Sequence, residues 1–249
     1  WRVYDFVEDT ICLQLPETDE DFYQSAIGFG TFQQMLSDFP AERLHETIPN
    51  FHNTPDRYRA FLEVLERDAL RRAALVQPEI EFALARQTEM GVLQRALNSG
   101  EIPLRVTHND TKLNNVLLDA KTRKACCVID LDTVMNGYAA IDYGDMVRSV
   151  TSSDFSLNTI KQITEGFADG LNGLLTEEEV VSLYFGILYV TGELAVRYLS
   201  DYIGNINYFK DKTPSMCLSR ANELFNQLNT FTKYQDDITA IIYKAFKKK

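Results

Sequence analysis

The segment THNDTKLNNVLLD, residues 107–119, crowds polar side chains into the eight positions 108–115 between apolar runs, and CCVIDLDT follows at 126–133. They include His108, Asp110, Lys112, Asn114 and Asn115. Polar groups are costly to bury unless each finds a partner. These side chains therefore either satisfy the hydrogen bonds of a tight turn or bind something that is not protein.

The residues around this segment predict a β-hairpin. IPLRVTH, NVLLD and ACCVIDLD are short and rich in Val, Leu and Ile, which is typical of strands, and AKTRK predicts the turn between the last two. A hairpin of NNVLLD with ACCVID would bring Asn115 and Asp130 to the same end. One amide oxygen and one carboxylate suit Mg²⁺, which completes its coordination with phosphate and water oxygens. Asp110 would lie close enough to orient an attacking hydroxyl and take its proton.

The rest of the chain reads as mainly helical. RVYDFV at 2–7 alternates and predicts a strand. Helical periodicity then predicts a first helix from about Glu20 to Leu36, with Thr18 as N-cap. A second helix is predicted within 53–76, with Phe61, Leu62 and Leu65 on its apolar face, and a third within 77–100, with Pro78 near its start and Gly100 past its end. About five more helical segments are predicted from Tyr138 to Phe246.

Composition excludes several classes of function. A net charge of −11 argues against nucleic acid or an anionic membrane as the main partner. No run of 18 apolar residues is present, so no membrane span is expected. The four cysteines, Cys12, Cys126, Cys127 and Cys217, form no C-x-x-C pair and are interpreted as the reduced thiols of a cytoplasmic protein. The G-x-G of AIGFGTFQ at 26–33 lacks a third glycine and lies in a predicted helix, so it is not a phosphate loop.

The order HNDTKLNNVLLD … VIDLDTVMNGYAAIDYGD resembles the aminoglycoside phosphotransferase and choline kinase family. That family carries an H-x-D-x-x-x-x-N loop followed by a metal-binding Asp after a hairpin. IDLD stands where protein kinases have D-F-G, and no A-P-E follows. Within the family, WRVYDFVEDT, THNDTKLNNVLLD and RYLSDYIGNINYFK are similar to bacterial N-acetylhexosamine 1-kinases, which phosphorylate the anomeric hydroxyl of an amino sugar.

The resemblance implies an α+β fold: the mainly helical C-terminal lobe of a protein-kinase-like fold, with a small β-hairpin at the active site. Residues 1–12 would be the hinge strand and linker from a missing N-terminal lobe, and residues 13–249 the catalytic and substrate-binding lobe. ATP and Mg²⁺ would be the cofactors. The hinge around Tyr4, Phe6 and Val7 would contact the adenine, and the missing lobe would supply the phosphate-covering loop.

The resemblance also implies roles in the reaction. Asp110 would be the catalytic base, and Asn115 and Asp130 would bind Mg²⁺. Lys112 would neutralise the transferring phosphoryl group, although many family members have another residue there. Asp132 either joins the metal or the substrate or is a solvated turn residue.

Other polar residues have less specific interpretations. His108 is expected to fix the loop through packing and hydrogen bonds, and Asp142 to cap the next helix and fix the loop. Asn109 and Asn114 either contact substrate or close the turn, with the turn favoured for Asn114. Arg197 and Tyr208, which the resemblance places on the sugar, could instead be a surface pair of Arg197 with Asp201 and a packing tyrosine.

The predicted function is thus an ATP-dependent kinase of a small hydroxyl acceptor, with an amino sugar first and choline, an aminoglycoside or homoserine as alternatives. A kinase-like binding module without chemistry is a second class, and residues 1–249 alone are expected to show negligible turnover. A sulfatase is disfavoured because Cys217 is followed by LSRA rather than the C-x-P-x-R context that its nucleophile needs.

Overall fold

The computed structural model describes residues 3–151 and 155–247, which fold mainly as helices. The helices are α1 (Asp19–Met35), α2 (Thr54–Arg67), α3 (Gln77–Ala85), α4 (Gln87–Met90), α5 (Val92–Asn98), α6 (Ala139–Val150), α7 (Leu157–Leu171), α8 (Glu177–Gly204), α9 (Pro214–Lys233) and α10 (Gln235–Phe246). The strands are β1 (Thr10–Cys12), β2 (Arg105–Thr107), β3 (Val116–Asp119), β4 (Ala125–Val128) and β5 (Met135–Gly137). The predicted mainly helical α+β class is confirmed.

The strands form two small antiparallel sheets. β1, β3 and β4 make one sheet in that order, and β2 pairs with β5 in the other. The predicted hairpin is β3 and β4, in which Val116 lies opposite Val128, with AKTRK as its turn. β2 leads into the polar segment and β3 leaves it, so the two sheets fix both ends of that loop.

The strand predicted at RVYDFV is wrong over the described residues 3–7. These residues have no regular secondary structure, and Val3 and Phe6 are 94% and 88% exposed. The strand begins later, at Thr10, where Ile11 pairs with Leu118 at the edge of the hairpin. A strand needs a partner backbone as well as suitable side chains, and the free edge of β3 meets the chain at residues 10–12.

The first two helices differ in how well periodicity predicted them. α1 has the predicted bounds within one residue, and Thr18 forms a capping box with Asp21. The second predicted helix is too long: α2 ends at Arg67 because Asp68 adopts the left-handed conformation and its carboxylate accepts the N–H groups of Arg72 and Ala73. Its predicted apolar face is also partly wrong, since Phe61 is fully buried but Leu62 is 42% exposed.

The third predicted helix is three short helices. The chain breaks at Arg86, between α3 and α4, and at Gly91, between α4 and α5. Pro78 does lie in the first turn of α3, and Gly100, at φ 76°, follows the end of α5. From Tyr138 onward the five predicted helical segments are α6 to α10.

The core surrounds α8, which packs against α2, α6 and α9. α6 and α8 cross closely because both carry glycine at the crossing: a Cβ atom on Gly144 would overlap the carbonyl of Gly186. α8 is long and apolar enough to cross a membrane by composition, but 78% of its most apolar window is buried inside the protein, as in the central helix of a core. All four cysteines are free thiols.

Candidate active site

The segment that follows β2, residues 108–115, forms the candidate catalytic loop. Asp110 is partly exposed, and the Lys112 ammonium lies 2.7 Å and 3.0 Å from its two carboxylate oxygens. The Asn115 amide nitrogen donates to the Asp110 carbonyl at 2.8 Å and approaches its carboxylate at 3.3 Å. Three predicted site residues are therefore brought together.

Asn115 and Asp130 lie at the same end of the hairpin, as predicted. The N–H of Ile129 donates to the Asn115 carbonyl at 2.9 Å, and Asp130 follows, exposed and in the left-handed conformation with φ 59° and ψ 55°. Both contacts of Asn115 with Asp110 use the amide nitrogen of Asn115, so its amide oxygen takes no part in them. In the described residues, His, Cys, Asp and Glu form no group of three or more that could hold a metal. The donor set is one amide oxygen and one carboxylate, which fits Mg²⁺ bound jointly with phosphate oxygens.

His108 is buried beneath the loop. Its Nδ1 accepts the Asp110 N–H at 3.3 Å, so the proton is on Nε2, which donates to the Ile129 carbonyl at 2.9 Å. The ring packs edge-on against Phe29 and Phe32, with centroids 5.2 Å and 5.9 Å away. His108 thus joins the catalytic loop to the end of the hairpin, as expected.

Asp142, in the first turn of α6, fixes the loop from the opposite side. Its two oxygens accept the N–H groups of His108 at 2.9 Å and Asn109 at 2.7 Å, and the Gln33 side chain donates at 2.7 Å. Burial raises the pKa of Asp142 and these hydrogen bonds oppose that rise. The predicted helix-capping role is wrong, because Tyr138 is the N-cap residue of α6; the predicted loop-fixing role agrees with these contacts.

Asp145, one turn later on α6, completes this support. It accepts the Thr111 N–H at 3.0 Å and pairs with Arg148 through two bonds of 2.9 Å and 2.6 Å. Burial alone would raise the pKa of Asp145, but the Arg148 guanidinium holds it below its usual value. No separate role is predicted for Asp145 from the sequence, although its spacing of three from Asp142 on a helix was a usable signal.

Asn109 is engaged within the protein. It adopts a left-handed backbone, φ 65°, and its amide nitrogen donates to the Thr107 and Thr133 carbonyls at 3.3 Å and 2.9 Å. Its amide oxygen accepts from the Thr107 hydroxyl at 3.0 Å. Of its two predicted roles, these contacts favour closing the turn. The Asn114 side chain also has a partner within the protein, because its amide nitrogen donates to the amide oxygen of Gln14 at 3.4 Å.

A second polar cluster, which the sequence did not reveal, surrounds Glu193 in the middle of α8. Glu193 is 1% exposed and accepts from the His52 ring at 3.2 Å and from Arg197 at 3.3 Å, while the Arg57 guanidinium lies 3.8 Å away. We call Glu193, His52, Arg57 and Arg197 the Glu193 cluster. A single Glu inside the most apolar helix, with Arg four positions later, was the available signal.

Arg197 and Tyr208, both predicted substrate residues, are brought together. The Arg197 guanidinium donates to the Tyr208 hydroxyl and lies 4.3 Å from that ring, while Phe51 is 5.7 Å away on another side. Burial lowers the pKa of Arg197 against the opposing charge of Glu193. The alternative pairing of Arg197 with Asp201 is wrong, because Asp201 accepts the N–H groups of Tyr208 and Phe209.

The remaining predicted site residues lie at the surface. Tyr4, Phe6 and Val7 are 68%, 88% and 38% exposed in the segment before β1. Asp132 is exposed in the turn after Asp130, and its carbonyl accepts from the Thr47 hydroxyl at 2.9 Å.

Two cavities border the catalytic loop. One of about 300 Å³ lies beside Asn109 and is lined by carboxamides and aromatic rings, among them Asn50, Gln94, Asn136 and Phe51. The other, of about 700 Å³, lies beside Lys112 between α1 and α6.

The comparison with known sequences decides the family. The sequence model of the Phosphotransferase enzyme family matches residues 1–175, which is more than half of the chain. The chain belongs to that family. The matched range contains the phosphotransferase catalytic loop, the hairpin and α6, so the residues predicted for phosphoryl transfer all lie inside it.

A solved structure has a similar fold. The choline kinase from Cryptosporidium parvum Iowa II matches 95% of this phosphotransferase chain and 71% of its own, with a TM-score of 0.55 and 13% sequence identity. This likeness confirms the predicted kinase-like fold, and the family match supports the coarse prediction of a small-molecule phosphotransferase. The likeness to N-acetylhexosamine 1-kinases and the division of the chain at residue 12 stay predictions.

Proposed function

We propose that this phosphotransferase uses ATP and Mg²⁺ to phosphorylate the anomeric hydroxyl of an N-acetylhexosamine. The observation that carries the proposal is that Asp110 is partly exposed on a loop fixed by buried groups. It is partly exposed beside Asn115. Its loop is fixed by main-chain N–H bonds to two buried carboxylates, Asp142 and Asp145. A rigid loop that presents one carboxylate to solvent suits a general base, which must meet a hydroxyl at hydrogen-bond distance.

The neighbouring residues have distinct roles in this proposal. Asp110 accepts the proton of the acceptor hydroxyl, and Lys112, already within reach of that carboxylate, neutralises the transferring phosphoryl group. Asn115 and Asp130 hold Mg²⁺, which supplies positive charge to the phosphates of ATP when it is bound. The adenine would contact the exposed segment of Tyr4, Phe6 and Val7.

Local charge favours a neutral acceptor over a cationic one. In the Glu193 cluster two arginines face one carboxylate, and Arg197 reaches the exposed Tyr208. An ammonium group of choline or of an aminoglycoside placed against Arg197 would be repelled by this positive charge. One carboxylate, Glu46, also lines the cavity beside Asn109. The cavity beside Asn109 is lined by side-chain amides, which suit the hydroxyl and acetamido groups of an amino sugar. The proposed substrate contacts are Asp132, Arg197 and Tyr208, and Asn109, whose side-chain groups are bonded within the protein, contributes to the cavity wall.

We also propose the predicted division of the chain, with 1–12 as hinge and linker and 13–249 as the C-terminal lobe. The exposed apolar side chains of Val3, Tyr4 and Phe6 support it, because such side chains usually have a partner. A cytoplasmic location agrees with the four free thiols.

The test is ADP release by the full-length protein with ATP and Mg²⁺. The acceptors are N-acetylglucosamine, N-acetylgalactosamine, choline and an aminoglycoside, and phosphorus NMR of the product identifies an anomeric phosphate. Asp110→Asn is expected to abolish turnover, whereas Asp237→Asn, on the exposed face of α10, removes the same charge as a control.

The outcomes separate the parts of the proposal. Turnover of choline but not of the amino sugars would refute the acceptor while keeping the kinase. Unchanged activity in Asp110→Asn would refute the base. Nucleotide binding without turnover of any acceptor would favour a binding module.

A further inference from the structure

The His52 imidazole lies between two hydrogen-bond acceptors. Its Nδ1 is 3.2 Å from a Glu193 carboxylate oxygen, and its Nε2 is 3.1 Å from the main-chain carbonyl of Asn109. Neither partner has a hydrogen to donate in these bonds. A neutral imidazole has one N–H and can satisfy one of them, whereas the imidazolium donates to both. The geometry therefore fits the protonated ring.

The charges around the ring agree with this assignment. Glu193 and Arg197 face it from α8, Arg57 from α2, and Asp145 from α6. Burial alone would lower the pKa of His52, but the Glu193 carboxylate, the Asn109 carbonyl and the Asp145 carboxylate together outweigh burial and raise it above the usual value of 6.5. We call the two hydrogen bonds of the His52 ring, to Glu193 and to the Asn109 carbonyl, the His52 bridge. Because the pKa of His52 is raised in the folded state, both bonds are present below pH 6.5, and one is lost as the pH rises through the higher, folded-state pKa.

The position of the bridge links the two polar clusters. The Asn109 carbonyl belongs to the peptide that joins Asn109 to Asp110, so its orientation is coupled to the position of Asp110. The rest of the Asn109 backbone is fixed by the Asp142 carboxylate, which accepts its N–H at 2.7 Å, so the carbonyl is the side of this residue that His52 holds. On the other side, the Glu193 carboxylate that His52 contacts also contacts Arg197. His52 thus connects the proposed base to the proposed acceptor contact through one ring.

We propose that His52 is a positioning residue, which as an imidazolium fixes the catalytic loop at the Asn109 carbonyl and makes phosphoryl transfer fail as the pH rises and the ring loses its proton. This inference rests on the proposed function for its catalytic consequence. A neutral ring keeps one of its two bonds. If the proton stays on Nδ1, the bond to the Asn109 carbonyl is lost and the loop is no longer held. If it stays on Nε2, the Nδ1 lone pair faces the Glu193 carboxylate and the bond to the Glu193 cluster is lost.

The kinetic test compares His52→Gln with His45→Gln in the full-length protein. His45 is exposed and provides the matched control. Since a shift of about 1 Å at a reacting group can cost about a hundredfold in rate, we expect kcat of His52→Gln to fall between tenfold and a hundredfold while KM for ATP stays within about twofold. In plots of kcat against pH, the wild type and His45→Gln should both lose activity as the pH rises, and His52→Gln should not show this alkaline decrease. A His52→Gln profile that superimposes on the wild type would overturn the inference.

A measurement that needs no turnover tests the bridge itself. In protein with nitrogen-15-labelled histidine, the His52 signals are those missing from His52→Gln. They should report a ring protonated on both nitrogens below pH 6.5 and should lose that second proton only as the pH rises above 6.5. Amide hydrogen exchange at 108–111 should be faster in His52→Gln and in the wild type above that titration. A ring that is neutral below pH 6.5, or unchanged loop exchange, would overturn the proposal. Absence of turnover in the wild type would count only against the proposed function.

Discussion

Replacing Asp142 with Asn should destabilise the protein although the two side chains have almost the same shape. Asp142 is fully buried, and each of its oxygens accepts one main-chain N–H of the catalytic loop, from His108 and from Asn109. An asparagine has one oxygen and one NH₂ group. Whichever way the amide turns, its NH₂ faces an N–H donor, and that donor is left unpaired in the interior.

The expected loss is one hydrogen bond to a charged acceptor. Gln33, the third partner, can turn its own amide so that its oxygen, which has no hydrogen-bond partner in the described structure, accepts from the new NH₂. That adjustment preserves the Gln33 contact and leaves one main-chain bond lost. A bond to a charged group contributes about 1.5–3 kcal/mol, so the free energy of unfolding of Asp142→Asn should fall by about that amount. Because the unpaired group belongs to the catalytic loop, kcat should fall as well.

Urea unfolding at neutral pH measures this loss, with Asp237→Asn on the surface of α10 as the control for the removed charge. The control should stay within about 0.5 kcal/mol of the wild type. If Asp142→Asn were as stable as the control, the carboxyl would be protonated in the folded protein and the reasoning from two N–H donors to one anion would be refuted.

Three further changes have expected outcomes that unfolding experiments can check. Arg105 makes two bonds of 2.7 Å to the buried Glu179, so Arg105→Met should cost about 3–5 kcal/mol by leaving that carboxylate unpaired; a loss below 1 kcal/mol would contradict this. Because the pKa of Asp145 is lowered in the folded state, the carboxylate stabilises the protein above its unfolded-state pKa of about 3.9, and this stabilisation is lost as the pH falls through the lower, folded-state pKa. The difference in urea midpoint between the wild type and Asp145→Asn should therefore shrink on acidification rather than grow. Gly186→Ala places a methyl group against the backbone of α6 and should cost about 1–3 kcal/mol, measured as a lower thermal midpoint than Gly91→Ala, whose new methyl would meet only the movable end of the Arg95 side chain.

The sequence predicted most reliably where local chemistry alone sets the structure. α1 begins after Thr18 because Thr18 and Asp21 are three residues apart, and that spacing is visible in the letters. The hairpin of β3 and β4 is visible for the same reason, as two apolar runs on either side of a polar turn. Asp110, Asn115 and Asp130 could be predicted together because that hairpin closes over a short stretch of chain.

Prediction failed where distant parts of the chain decide. The apolar pattern of RVYDFV says nothing about which backbone is available to pair with it, and the edge of β3 is occupied by residues 10–12. The break after α2 depends on Asp68 turning its carboxylate onto two later N–H groups rather than continuing the helix. The contact of His52 with Glu193 joins residues 141 positions apart, and although Glu193 is conspicuous in an apolar helix, nothing in the sequence near His52 indicates that the two meet.

The pattern A-I-D-Y-G-D shows how one short helix serves both the fold and the site. Asp142 and Asp145 are three positions apart on α6, so their carboxylates share a face and accept N–H groups of the same loop, those of His108 and Asn109 and that of Thr111. Gly144 lies between them and contacts α8, whose Glu193 supports the same loop through His52. Close approach of α6 to α8 and fixation of the loop are therefore linked, because a side chain at Gly144 would move the helix that carries both carboxylates. The buried aspartates of the site position the loop, whereas Asp110 is partly exposed and Asp130 is exposed to solvent.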